Sequence, residues 1–149
     1  MRQALHRLLI DTRGKGLTEI TRPMLAWVAD QGIGTGLLTV WCRHTSASLT
    51  VQENASPAVR EDIATFFEAL APEDAGRYLH DDEGPDDMPA HLRAMLTGTQ
   101  LTIPVADGRP VLGTWQGVYL FEHRRAPHRR EVVLHLLGEP PGADDHGAT

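Results

Sequence analysis

A chain of 149 residues can build one domain with a sizeable core and is too short for two comfortable ones. Its hydrophobic fraction of 41% and charged fraction of 23% are ordinary for a soluble globular protein, and no apolar run approaches the roughly 18 residues of a membrane span. The net charge of −6 has the wrong sign for coating nucleic acid, and the single cysteine, Cys42, excludes an intramolecular disulfide and a Cys-based zinc cage.

In chain order, the opening MRQALHRLLI is broken as a signal peptide by His6, Arg7 and the following Asp11, so the cytoplasm is expected. Residues 3–11 read as a strand. Thr21-Arg22-Pro23 predicts a helix start, a hydroxyl cap with a proline whose missing N–H costs nothing there. Leu25, Val28 and Ala29 give that helix its apolar stripe, and Gly32 stops it. Residues 36–44 alternate clearly, with Leu38, Val40, Cys42 and His44 on one face and Leu37, Thr39, Trp41 and Arg43 on the other. Residues 48–53 alternate again, placing Glu53 with Leu49 and Val51. A second helix begins near Ser56-Pro57 and carries Val59, Ile63, Phe66, Phe67 and Leu70 at helical spacing.

Residues 71–89 are acidic and aperiodic and read as a long loop, followed by a short helix over about 89–97. Strands are predicted at 100–105, 111–113, 116–122 and 130–137, with a turn at Asp107-Gly108. Strands outnumber helices and several connections are hairpin-length. The class is therefore α+β, a single compact domain over residues 1–138 with a largely antiparallel β-sheet and helices packed against it. Residues 139–149, rich in Pro, Gly and acid, read as a flexible tail.

Eight histidines raise the question of chemistry. His44 begins the segment His44-Thr45-Ser46-Ala47-Ser48 at a strand end; it can ligate a metal or meet an oxyanion, or it is a turn histidine satisfied by a carbonyl. Glu53, a carboxylate on an apolar face, must pair, ligate, protonate or stand at a wet edge, while Asn54 or Ser56 can cap the next helix. The loop from Tyr78 to Asp87 is dense in oxygen donors but lacks EF-hand spacing. His80 and His91 are eleven residues apart, which matches no metal signature. Trp115, between Gly113 and Gly117, can wall a ring-binding pocket or be a core residue at a turn. Arg124, Arg125, Arg129 and Arg130 can grip a phosphate or decorate a charged hairpin tip.

HTSASLTVQENASP, YLHDDEGPDDMPAHL, GTQLTIPV and GTWQGVYLFEH, in this order and spacing, resemble the YjbQ family over nearly the whole chain. The resemblance implies a small α+β fold, a homotrimer and a secondary thiamine-phosphate synthase activity. It places the family's functional positions on His44, Glu53, Asn54, His80, His91 and the stretch Gly113, Thr114, Trp115, Gln116; many members carry asparagine where this chain has Asp87.

The expected reaction joins a hydroxymethylpyrimidine diphosphate to a thiazole phosphate and releases diphosphate. His44 and Glu53 are its catalytic candidates, and Thr45, Ser46, Asn54, Thr114, Trp115 and Gln116 bind substrate. Trp115 walls the ring, Thr45 or Ser46 donates to phosphate, and a cation or the arginines take the leaving charge. The alternatives are a non-enzymatic metal- or ligand-binding trimer and a phosphometabolite hydrolase. His44, His80 and His91 are expected to share one pocket with Glu53 and the Trp115–Gln116 edge and to hold a divalent metal, zinc or magnesium, at a site that can lie at a subunit boundary. The partners expected are a small phosphorylated substrate and two further copies of the chain, with no nucleic acid and no membrane.

Overall fold

Strand-like alternation dominates the sequence, and strands dominate the computed structural model, which describes residues 1–142. In chain order the elements are β1 (Arg2–Asp11), β2 (Gly16–Glu19), α1 (Thr21–Ala29), β3 (Thr35–Cys42), β4 (Ala47–Glu53), α2 (Pro57–Leu70), α3 (Asp87–Thr97), β5 (Gln100–Ala106), β6 (Arg109–Pro110), β7 (Gln116–Glu122) and β8 (Arg129–Glu139). One sheet runs β1-β8-β3-β5-β6 and a second runs β2-β7-β4, with every pairing antiparallel. The chain is α+β, as its residue pattern predicts.

The core lies where the two sheets face each other. Leu38 and Val40 of β3, Val132, Leu134 and Leu136 of β8, Leu49 of β4 and Val118 and Leu120 of β7 are fully buried together. Met24 and Val28 of α1 join the same cluster. Removing this much apolar surface from water is the main driving force for the fold, at about 25 cal/mol per Å². On the far side of the three-stranded sheet, Phe67 of α2 meets Phe121 edge to face at 5.4 Å, and Arg60 donates to the Tyr119 hydroxyl at 3.0 Å. No residue of α2 is fully buried, and Phe66 and Leu70 are exposed, so its apolar stripe is wider than the surface it covers.

The outer face of the five-stranded sheet is bare. Leu5, Leu9, Leu37, Trp41 and Leu137 are exposed on it, with Leu37 directly opposite Leu137 in the ladder.

Several boundaries differ from the sequence expectation. β2 lies where no strand was expected, in four residues too short to show a period. The expected strand at 111–113 is instead β6 at Arg109–Pro110, because Asp107 and Gly108 turn the chain with φ of 51° and 74° and the ladder ends at Pro110, which has no N–H to donate. α3 begins at Asp87, two residues early. β8 continues through Glu139, past the expected domain edge at 138; residues 143–149, most of the expected tail, and His146 lie outside the described residues.

Pairing of β4 with β7 sets the geography of the site. Ala47 is opposite Glu122 at one end and Glu53 is opposite Gln116 at the other. Six residues of strand separate these ends by about 20 Å.

Candidate functional site

Asp87 opens α3, and His91, one turn later, falls on the same helix face. His80, from the loop before the helix, reaches back to the same carboxylate. Asp87 Oδ2 stands 2.8 Å from His80 Nε2 and 3.0 Å from His91 Nε2, and the three candidate ligand atoms lie within 4.8 Å of one another. Asp87 is buried, whereas both imidazoles reach solvent.

Arg124 fastens this arrangement. Its Nη1 donates to Asp87 Oδ1 at 2.8 Å, its Nε to Asp86 Oδ2 at 3.0 Å and its Nη2 to the Glu83 carbonyl at 2.8 Å. Burial alone would raise the Asp87 carboxyl, but the hydrogen bond from His80 and the charges of His91 and Arg124 hold it below the usual carboxylate range. The His80 imidazole is pushed up, chiefly by its hydrogen bond to Asp87.

The second nitrogen of His91 fixes its tautomer. Nδ1 is 2.8 Å from the Thr45 carbonyl oxygen, an acceptor only, so Nδ1 must carry a proton and donate it. In the neutral ring Nε2 then presents a lone pair toward Asp87.

His44 does not join the cluster. Its Nε2 accepts a hydrogen bond from the Glu131 backbone N–H at 2.7 Å, because the chain past β3 folds over the start of β8. Burial, assisted by the Arg130 charge, pushes its pKa down. The expected ligand trio of His44, His80 and His91 is thus corrected in this geometry: Asp87 takes the place of His44. His44 instead lines a small cavity beside His91, with Thr45, Ala94, Met95 and Thr99.

The other candidates separate into two groups. Ser46 is near the cluster but buried, its oxygens accepting from Arg130 Nη2. Glu53, Asn54, Thr114, Trp115 and Gln116 lie at the opposite end of the β4–β7 pair, against the expectation that Glu53 and the Trp115–Gln116 edge share the histidine pocket. Local bonds occupy several of them there. Glu53 Oε2 accepts from the Ala55 and Ser56 N–H groups and tightens the entry to α2, Gln116 Oε1 accepts from the Gly113 N–H, and the Asn54 N–H donates to the Trp115 carbonyl. Trp115 itself is exposed.

Sequence reasoning missed a buried network. Glu122 and His123 are fully buried; Arg130 Nε donates to Glu122 Oε2 at 2.7 Å, and Thr12 Oγ1 donates to the same oxygen at 2.8 Å. Ser48 Oγ lies 2.8 Å from His123 Nε2. Burial pushes the His123 imidazole down to about 3, so it is neutral. The strand period offered a signal for Glu122, since Glu122 alternates with buried Leu120 and Val118 on the core-facing side of β7.

Comparison with known proteins supplies the family. Residues 6–139 match the model of the family described as UPF0047 protein YjbQ-like. UPF0047 protein sll1880 of Synechocystis is 54% identical over 138 residues, 93% of this chain and 94% of that one. The UPF0047 protein YjbQ of Escherichia coli O157:H7 is 43% identical over 133 residues, 89% and 96% of the two chains. Among solved structures, the conserved hypothetical protein TT1486 of Thermus thermophilus superposes with a TM-score of 0.79 at 38% identity, covering 89% of this chain and 99% of that one. A YbjQ-like protein of unknown function from Sulfolobus solfataricus shares the fold, with a TM-score of 0.81 at 24% identity over 93% and 100% of the chains.

None of these names carries an activity, and the expected thiamine-phosphate synthase function is corrected accordingly: neither the synthase, nor the transferase class, nor a place in thiamine biosynthesis has support. The geometry removes its physical basis as well. The proposed ring wall, Trp115, and the proposed phosphate donors at 45–46 sit at opposite ends of a strand pair. All four arginines meant to take the leaving charge are held by carboxylates, Arg124 by Asp86 and Asp87, Arg125 by Glu73, Arg129 by Asp11 and Arg130 by Glu122. Among the described residues no helix is long and apolar enough to cross a membrane. The family match over residues 6–139 and the identity with its members place this chain in the UPF0047 (YjbQ-like) family.

Proposed function

We propose that this protein binds one divalent transition-metal ion per chain through His80, Asp87 and His91. The observation that carries this reading is the His91–Asp87 contact. With Nδ1 donating to Thr45, the His91 ring in its neutral form turns an unprotonated Nε2 toward a carboxylate oxygen 3.0 Å away. Two acceptors that close favour a cation between them, and a backbone carbonyl on the second nitrogen is the usual support of a metal-bound histidine. Arg124 on Asp87 Oδ1 leaves Oδ2 for the ion. Tetrahedral coordination at about 2.0 Å needs ligand atoms about 3.3 Å apart, so small shifts of the imidazoles suffice.

Two imidazoles and one carboxylate suit zinc, cobalt or ferrous iron, whereas magnesium prefers an all-oxygen shell. Three protein ligands leave room for an outside ligand. The test is metal content after equilibration with zinc or cobalt. The wild type is expected to hold one ion per chain and His44→Ala to keep it, while His80→Ala, Asp87→Asn and His91→Ala lose it. Equal content in all five proteins would overturn the assignment and leave a proton shared between the carboxylate and the imidazoles.

The homotrimer remains our proposal for the assembly. The bare outer sheet face, with Leu37, Trp41 and Leu137 exposed together, supports burial between copies. Sedimentation equilibrium of the wild type and of Trp41→Asp tests it; a wild-type monomer at micromolar concentration would end it. The cytoplasm suits the one cysteine, Cys42, which is buried and free.

A further inference from the structure

The metal reading leaves open what completes the ion's coordination, and a cavity adjoins one of the three ligands, His91. His44, Thr45, His91, Ala94, Met95 and Thr99 line it, and its volume is about 230 Å³. Pockets for drug-sized ligands run roughly 300–1,000 Å³, so this one suits a body of about one ring. The walls are apolar at buried Ala94 and at Met95, which is exposed at the cavity's rim. The polar groups are largely spent: the Thr45 carbonyl is taken by His91 and the Thr99 carbonyl by the Cys42 N–H.

One donor stays free. Because His44 Nε2 accepts from the Glu131 N–H, the proton of the neutral ring is on Nδ1, and Nδ1 has no hydrogen-bond partner among the described residues. It is a neutral donor with a fixed tautomer in the wall shared with His91.

Charge narrows the ligand further. A divalent ion with one Asp87 carboxylate carries a net charge of about +1, and Arg124 is balanced by Asp86. Arg124, Arg125, Arg129 and Arg130 are each paired with a carboxylate, and Asp81, Asp82 and Glu83 lie beside His80 in the sequence. A monoanion neutralises such a centre; a dianion overfills it. The cavity on the His80 side is a poorer seat for an anion, since Asp74 and Asp81 wall it and the Tyr78 hydroxyl already donates to Pro72.

We infer that the site takes a small monoanionic ligand with a two-oxygen head group, a carboxylate or its hydroxamate analogue, on an apolar body of about one ring. The head completes the metal's coordination and accepts from His44 Nδ1–H, and the body lies against Ala94 and Met95. This inference rests on the metal reading above.

The probes are benzohydroxamate, acetohydroxamate and phenyl phosphate, titrated into the cobalt-loaded full-length protein and followed by the visible cobalt spectrum. Benzohydroxamate is expected to bind at least about tenfold tighter than acetohydroxamate, and phenyl phosphate more weakly than benzohydroxamate. Met95→Asp should erase the benzo advantage, and His44→Ala and His44→Gln should each weaken both hydroxamates about tenfold with cobalt content unchanged. Failure of the wild type to hold cobalt overturns the metal reading and this inference together. Cobalt bound with both hydroxamates equally tight, with phenyl phosphate tightest, or with no effect of Met95→Asp and the His44 variants overturns this inference alone.

Discussion

Asp87 and Glu122 sit on either side of Arg124, which gives its backbone N–H to Glu122 and its side chain to Asp87. Both carboxylates are buried, and each is held by an arginine. Their remaining capacity is spent differently. Glu122 accepts from Arg130, Thr12 and the Arg124 backbone, so both its oxygens are engaged inside the protein. Asp87 turns one oxygen to two solvent-reaching imidazoles, neither locked away from an incoming ion. A buried carboxylate is thus a fastener or a ligand according to what its second oxygen faces.

That contrast can be broken or sharpened experimentally. The largest effect is expected from Glu122→Ala, which leaves Arg130 buried without its counter-charge and should cost about 3–5 kcal/mol in urea unfolding. A loss below about 1 kcal/mol would show that Glu122 is no fastener. Next comes Arg124→Gln. Losing the group that orients Asp87 should weaken zinc binding by about 10–100-fold in competition with a chelator, without abolishing it.

A third test uses acidity. An unfolded histidine titrates near about 6.5, whereas buried His123 stays neutral down to about 3, so below pH 6.5 the unfolded chain binds a proton that the folded chain refuses. Stability contributed by this residue is present above about pH 6.5 and falls as pH drops, by about 2 kcal/mol at pH 5. Denaturation of the wild type and His123→Asn at pH 7 and pH 5 checks it: the acid-induced loss should shrink in the variant. The smallest effect belongs to Glu53→Ala. Losing its two backbone hydrogen bonds ahead of α2 should cost about 1 kcal/mol and leave metal content untouched.

Much of the architecture was legible because alternation is a local property. Leu38, Val40 and Cys42 announced a strand with one buried face, and the structure buries all three. Part of the site was legible too: His80 and His91 were candidates, and Asp87 stands four residues before His91 on a helix. What misled was equality of type. Glu53 and Glu122 both stand in alternating strands, yet the first meets the N–H groups at the entry to a helix and the second a buried arginine from β8. Nothing within either strand says which partner arrives.

The sequence alone determined most of the strands, the three helices and an α+β class, since side-chain period and turn chemistry act between residues close in the chain. Tertiary structure decided which histidines meet. His44 was diverted to the Glu131 backbone when β8 came to lie beside β3, and Asp87 was delivered to the imidazoles by Arg124, 37 residues away. The direction of a lone pair depends on what packs against the other side of its ring, and that contact exists only after distant strands have paired.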